Sequence, residues 1–191
     1  MYHIKDDQRS IRSSEMLYDG LSKLMREMPY KSIKVKDLVE ASNVGRATFY
    51  RNFDEIEDIL RLRCDQVFDG LIAYLIEYVQ QYGNKSGTLL LKPMLRYFYL
   101  NSEIIELLMN ANRLDIVQAS FRKVGEPYKM RASERFDIEK DYVDYALNIR
   151  IGVVTSILIH WIETGKKQAP DELADKLGDL LTNVITIDQL L

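Results

Sequence analysis

The sequence of 191 residues predicts an all-α fold. Three observations carry this. Apolar residues recur three and four positions apart along most of the chain, the period of a helix with one buried face. No stretch alternates apolar and polar residues over strand length. Only 4 prolines interrupt the pattern. A chain of this length can bury a substantial core in one or two domains.

The first helix is expected over residues 7–28, with Ile11, Leu17, Tyr18, Leu21, Leu24, Met25 and Met28 near one face. Pro29 stops it, because proline cannot continue the hydrogen-bond ladder. Residues 31–60 hold the motif that organises the chain. Ile33, Val35, Leu38 and Val39 keep helical spacing over about two turns, and Ser32 stands where it could cap that run. The break follows at Ser42-Asn43-Val44-Gly45. Asparagine tolerates a left-handed backbone and so can end a helix and turn the chain. The next run, 46–53, places Phe49 and Phe53 inward and leaves a face of cations and hydroxyls outward. Short helix, tight turn and short polar-faced helix together make a helix-turn-helix pattern.

Beyond it, acidic residues 54–58 open a long helix that should reach residue 82, roughly 40 Å at about 1.5 Å per residue. Acidic side chains suit the positive end of a helix dipole. Residues 83–87 read as a loop. Helices are then expected over 88–100, 103–110 and 115–128, and 125–137 is too polar to assign. Residues 138–164 form the most apolar helix, which must be buried on more than one side. A last helix follows Pro170, with Leu173, Leu177, Leu180, Leu181 and Val184 on one stripe.

The run "DLVEASNVGRATFYRNF" resembles the DNA-binding domain of TetR-type transcriptional regulators. The likeness covers residues 11–60, and Phe49-Tyr50 followed by Phe53 is its most specific part. Asn43 stands where the family usually has glycine, Gly45 where it usually has serine, and Ile56 where a lysine is common. The resemblance implies a three-helix DNA-binding domain, 1–53, joined by a long helix to a helical regulatory and dimerisation domain, 54–191. It also implies a dimeric repressor that a small molecule releases from a palindromic operator. The alternative is a regulator whose body docks a protein partner, or is blind to ligands.

Charge agrees with that division. Residues 1–53 carry 10 Lys and Arg against 7 Asp and Glu, a net of +3, and residues 54–191 carry 16 against 22, a net of −6. A basic head on an acidic body suits a protein that meets DNA at one end. The candidate DNA contacts are Lys34, Lys36, Arg46, Ala47, Thr48, Tyr50, Arg51 and Asn52. Arg46 is the first candidate for base readout, since a guanidinium can bridge guanine O6 and N7. Tyr50, by the resemblance, gives its phenol to a phosphate.

Aromatic rings with polar tips suit an amphipathic or aromatic ligand. The candidate pocket residues are Tyr74, Tyr78, Phe98, Phe121, Tyr145 and Trp161. By the resemblance, the last two helices pair with a second copy, and Val153, Ile157, His160, Leu177, Leu181 and Val184 are the candidate interface. No catalytic residue, metal site or cofactor is expected. There are 2 histidines and 1 cysteine, and no phosphate loop, zinc motif or nucleophile elbow occurs. The longest apolar stretch, 149–162, contains Arg150 and His160 and falls short of the about 20 residues a membrane span needs. A soluble, cytoplasmic chain with no membrane partner is therefore expected.

Overall fold

A computed structural model describes residues 1–83 and 90–184. They form ten α-helices: α1 (Gln8–Glu27), α2 (Val35–Ser42), α3 (Arg46–Asn52), α4 (Glu57–Tyr82), α5 (Leu91–Leu100), α6 (Glu103–Asn110), α7 (Leu114–Gly125), α8 (Lys129–Phe136), α9 (Val143–Glu163) and α10 (Pro170–Val184). No strand occurs among the described residues, only an isolated antiparallel bridge between Tyr2 and Phe53. The all-α expectation holds. The expected loop at 83–87 falls almost wholly outside the described residues, as do positions 88 and 89 of the expected fifth helix.

The helices form two compact units. Met1–Val67 and Glu103–Phe121 make the first, and Phe68–Ser102 and Arg122–Leu191 the second. The boundary of the first unit thus lies 14 residues beyond the expected division at 53, inside α4, and α6 with most of α7 belongs to it.

In the first unit α1 packs on α2 and α3. Leu17, Leu21, Leu38, Phe49, Phe53, Leu60, Cys64, Ile105 and Leu108 are fully buried. Asp7 caps α1 by accepting the Ser10 N–H at 2.8 Å, the usual use of a short acidic side chain at that position. The start of α2 differs from expectation. Ser32 lies in a single 3₁₀ turn, Tyr30–Ser32, and α2 begins after Lys34, whose N–H is accepted by Asp37 at 3.0 Å. Pro29 sets that extra turn, its carbonyl accepting the Ser32 N–H at 2.9 Å. Gly20 is the close approach between α1 and α2: a β-carbon there would lie 2.8 Å from the Ser42 β-carbon.

In the second unit α5 packs on α10. Two ion pairs tie them, Arg96 to Asp171 through two hydrogen bonds of 2.6 and 2.5 Å and Lys92 to Asp175 at 2.9 Å. The Arg96 guanidinium holds the Asp171 carboxyl below the usual carboxylate range. Pro93 sits in the first turn of α5, where its missing N–H costs nothing. The polar segment 125–137 contains a helix that periodicity did not announce, α8. It ends at Asp137 in a left-handed conformation (φ 51°), with the Ile138 N–H returning to the Ser133 carbonyl at 3.0 Å.

The helix α9 with the turn before it, Lys140–Glu163, is 24 residues long and, by length and composition, apolar enough to cross a membrane. This corrects the length argument from sequence, which counted from Ile149. One face of α9 is buried, at Ile151, Thr155, Leu158, Trp161 and Ile162. Tyr145, Ile149, Gly152, Ser156 and His160 are exposed on another.

Two glycines give opposite expectations. Replacing Gly20 with leucine should lower stability by about 1–3 kcal/mol, the usual penalty for overfilling a tight contact. Gly45 has open space around it, and Gly45→Ser should raise stability by a few tenths of a kcal/mol, roughly the cap preference. Thermal unfolding of the two variants checks both signs.

Candidate nucleic-acid interface

The turn between α2 and α3 is built by two residues. Asn43 is left-handed (φ 53°), and the Val44 N–H reaches back to the Val39 carbonyl at 3.2 Å. The same carbonyl also accepts the Asn43 N–H, so two successive N–H groups close the end of α2 on it. Gly45 is extended, and its carbonyl accepts the Thr48 and Phe49 N–H groups at 2.9 and 3.1 Å. Helix α3 starts there.

Phe49 and Phe53 point into the core, so residues about half a turn away point out. Arg46, Ala47, Tyr50 and Arg51 are exposed, Tyr50 at 49%, and Thr48 is half-buried. The Arg46 guanidinium lies over the Tyr50 ring, 5.6 Å from its centre. Arg51 donates to the Thr48 hydroxyl at 3.0 Å. Lys34 and Lys36 are exposed on and beside the start of α2. Lys34 and Tyr50 line one open hollow of about 460 Å³ with Val35 and Ile56. The structure therefore gathers seven of the eight expected contacts on α2, the residue before it and α3.

Asn52 is the exception. It is 3% exposed and faces inward. Its side-chain oxygen accepts the Ser10 hydroxyl at 3.1 Å, and its amide donates to Ser13 at 3.0 Å. Its backbone carbonyl accepts the His3 N–H at 2.7 Å. Asn52 is a clamp that fixes the end of α3 to α1 and to the N-terminal segment. Its partners lie about forty positions away in sequence, so no local pattern could reveal it.

The acidic opening of α4 is also more constrained than a dipole argument implies. Asp58 is buried and accepts the Glu55 N–H at 3.0 Å, closing the turn before the helix. Glu57 is ion-paired with both Arg61 and Arg113. Arg113 in turn grips Asp115 through two hydrogen bonds of 2.8 Å. Sequence reading missed these arginines, which lie on α4 and between α6 and α7.

The six expected pocket aromatics are divided between the two units. Phe121 belongs to the first unit and the other five to the second. Phe98 is fully buried and packs on Phe68 at 5.5 Å between ring centres. Trp161 is 2% exposed, and its indole N–H donates to the Gln168 carbonyl at 3.1 Å. Tyr145 is 68% exposed beside Tyr142. Tyr74 packs on Tyr97 and Tyr78 on Tyr82. Phe98 and Trp161 are core residues here, and Tyr145 is a surface residue.

Of the expected interface, Val153, Ile157 and Leu177 are half-buried and His160 exposed. Leu181 and Val184 lie on α10, but their side chains fall outside the described residues.

Residues 88–183 match a family model described as a transcriptional regulator C-terminal region, one of the TetR set. That is just over half of the chain. The chain belongs to the TetR family of transcriptional regulators. It is 25% identical over 176 residues to the uncharacterized HTH-type transcriptional regulator YxbF of Bacillus subtilis (strain 168). That match covers 88% of this chain and 44% of YxbF, so the chain spans less than half the length of this relative. Among solved structures, Lin0861 from Listeria innocua superposes with a TM-score of 0.73 at 19% identity, over 95% of this chain and 96% of that one. The fatty acid degradation regulator FadR from Bacillus halodurans gives 0.59 at 14% identity, over 94% and 97%. At these identities the two structures show that the TetR fold is shared.

The clamp gives a test within this TetR-family head. Asn52→Ala should cost about 1–3 kcal/mol, because it removes two side-chain hydrogen bonds, one of them to the buried Ser10 hydroxyl. Urea unfolding measures this. A phosphate contact would instead leave stability unchanged and reduce only DNA affinity.

Proposed function

We propose that the chain is a homodimeric DNA-binding repressor that reads a palindromic operator with α3. The observation that carries this is the face of α3: Arg46, Ala47, Tyr50 and Arg51 stand outward on a short helix whose opposite side is locked into the core. A recognition helix in the major groove needs such a face, with cations and hydroxyls available and a backbone that does not yield. Arg46 reads a base. Tyr50, Lys34, Lys36 and Arg51 hold phosphates and set the register.

The second copy docks on the outward face of α9 and on α10. Tyr145, Ile149, Gly152, Val153, Ser156, Ile157 and His160 follow helical spacing on that face, and Leu180 of α10 is also exposed. Small residues at 152 and 156 allow a second helix to approach closely. A two-fold dimer then presents two recognition helices to half-sites about one turn of DNA apart, or a multiple of it. This assignment treats α9 as an assembly helix in the cytoplasm rather than a membrane span; Arg150 and Asn148 within it are better placed at a wet surface.

In the first reading of the signal, a small amphipathic ligand in the body releases the DNA. Fatty acids are the ligand class to try first, since the structurally similar FadR is a regulator of fatty acid degradation. The packing of Phe98 and Trp161 into the core favours a second reading, in which the body answers to a protein partner or to no ligand.

Selection from a random duplex library at two salt concentrations tests the main claim. The expected winner is a palindrome whose binding falls steeply with salt. Arg46→Ala should then relax preference at one position per half-site, a loss of about 1–3 kcal/mol in selected-site affinity. Ile149→Glu combined with Ile157→Glu should convert dimers to monomers in sedimentation equilibrium; a persisting dimer would place the interface elsewhere.

A further inference from the structure

Arg46 and Tyr50 stand four residues apart on α3, and side chains at that spacing share a helix face. The guanidinium carbon lies 5.6 Å from the centre of the Tyr50 ring. That is within the about 6 Å over which a cation is drawn to the electron-rich face of a ring. The ring is itself held. Phe49, fully buried, meets it edge-on at 5.1 Å with the planes 82° apart. The other cation of the helix, Arg51, is engaged by Thr48 at 3.0 Å. Arg46 thus rests on a platform that is anchored to the core.

A long side chain that is free on a helix surface loses its rotamer freedom when it grips a partner. One that already rests on a ring loses less. From this we infer that Tyr50 is the positioning residue of Arg46: its ring face aims the guanidinium, so Tyr50 takes part in base choice without touching a base. The inference rests on the reading of α3 as the recognition helix. It divides Tyr50 into two parts with separate jobs. The hydroxyl at the ring edge serves affinity through phosphate, and the ring face serves selectivity through Arg46.

Library selection with the full-length chain separates the two. Tyr50→Phe keeps the ring and loses the hydroxyl, so it should weaken all sequences by a similar factor and leave the base pattern intact. Tyr50→Leu and Tyr50→Met lose the ring. Each should reduce preference about two- to five-fold, the range of an exposed cation–π contact, at the same half-site position that Arg46→Ala relaxes. In a double-mutant cycle, Tyr50→Leu added to Arg46→Ala should change preference at that position no further. Thermal midpoints close to that of the parent protein confirm that α3 is intact, and the methionine variant carries the test should the leucine one unfold. An unchanged or sharper preference in both ring-less variants would overturn the inference, as would additive losses in the cycle. If the parent protein selects no sequence, the recognition reading itself fails and this inference falls with it. That result is distinct from a palindrome whose pattern ignores Tyr50.

Discussion

A helix of seven residues does not hold itself together in water. Isolated helices shorter than about 12–15 residues are marginal even in favourable sequences, and α3 has seven residues and α2 eight. Both exist because Leu38, Phe49 and Phe53 are removed completely from water against the first helix and its neighbours. The exposed face of α3 is therefore a product of its buried face. Phe49 and Phe53 fix the rotation of the helix about its axis, and that rotation decides that Arg46 and Tyr50 look outward. The Asn52 clamp fixes the remaining freedom, the tilt of its far end. Side-chain chemistry on one side and close packing on the other are one design problem, solved within two turns.

Much of this was legible because the motif combines a period with a punctuation mark. Helical spacing alone is common; helical spacing broken by Asn43 and Gly45 and resumed by Phe49 and Phe53 is not. What stayed hidden depended on distant partners or on polar helices. Position 52 follows position 48 by one turn, so a local reading placed Asn52 beside Thr48 on the outer face. Only folding brings Ser10 and Ser13 to it. The cap of α2 was misplaced by two residues because Pro29 inserts a turn before it. Helix α8 went unread because five of its eight residues are charged or hydroxylated and leave too few apolar positions to show a period. In the body, spacing shows which rings lie on a helix face but cannot tell a ring packed on another ring from one lining a hollow. Phe98 packs on Phe68, and Trp161 packs on Tyr99.

Helix α9 shows the complementary difficulty. It is apolar almost all round, so hydropathy cannot separate its two faces. The structure does: Leu158, Trp161 and Ile162 are buried, while Tyr145 and Ile149 face water. In the proposed dimer the second copy covers this stripe, the usual fate of an exposed apolar face.

Cys64 lies on α4, fully buried in the first unit, and burial pushes its thiol up to about 12. A thiol that stays protonated and shielded is inert toward alkylating reagents and oxidants. It is also the single cysteine of the chain. The chain therefore carries a built-in gauge of its own opening: any labelling of this thiol reports the moments when α4 leaves its neighbours, and the rate of labelling counts them.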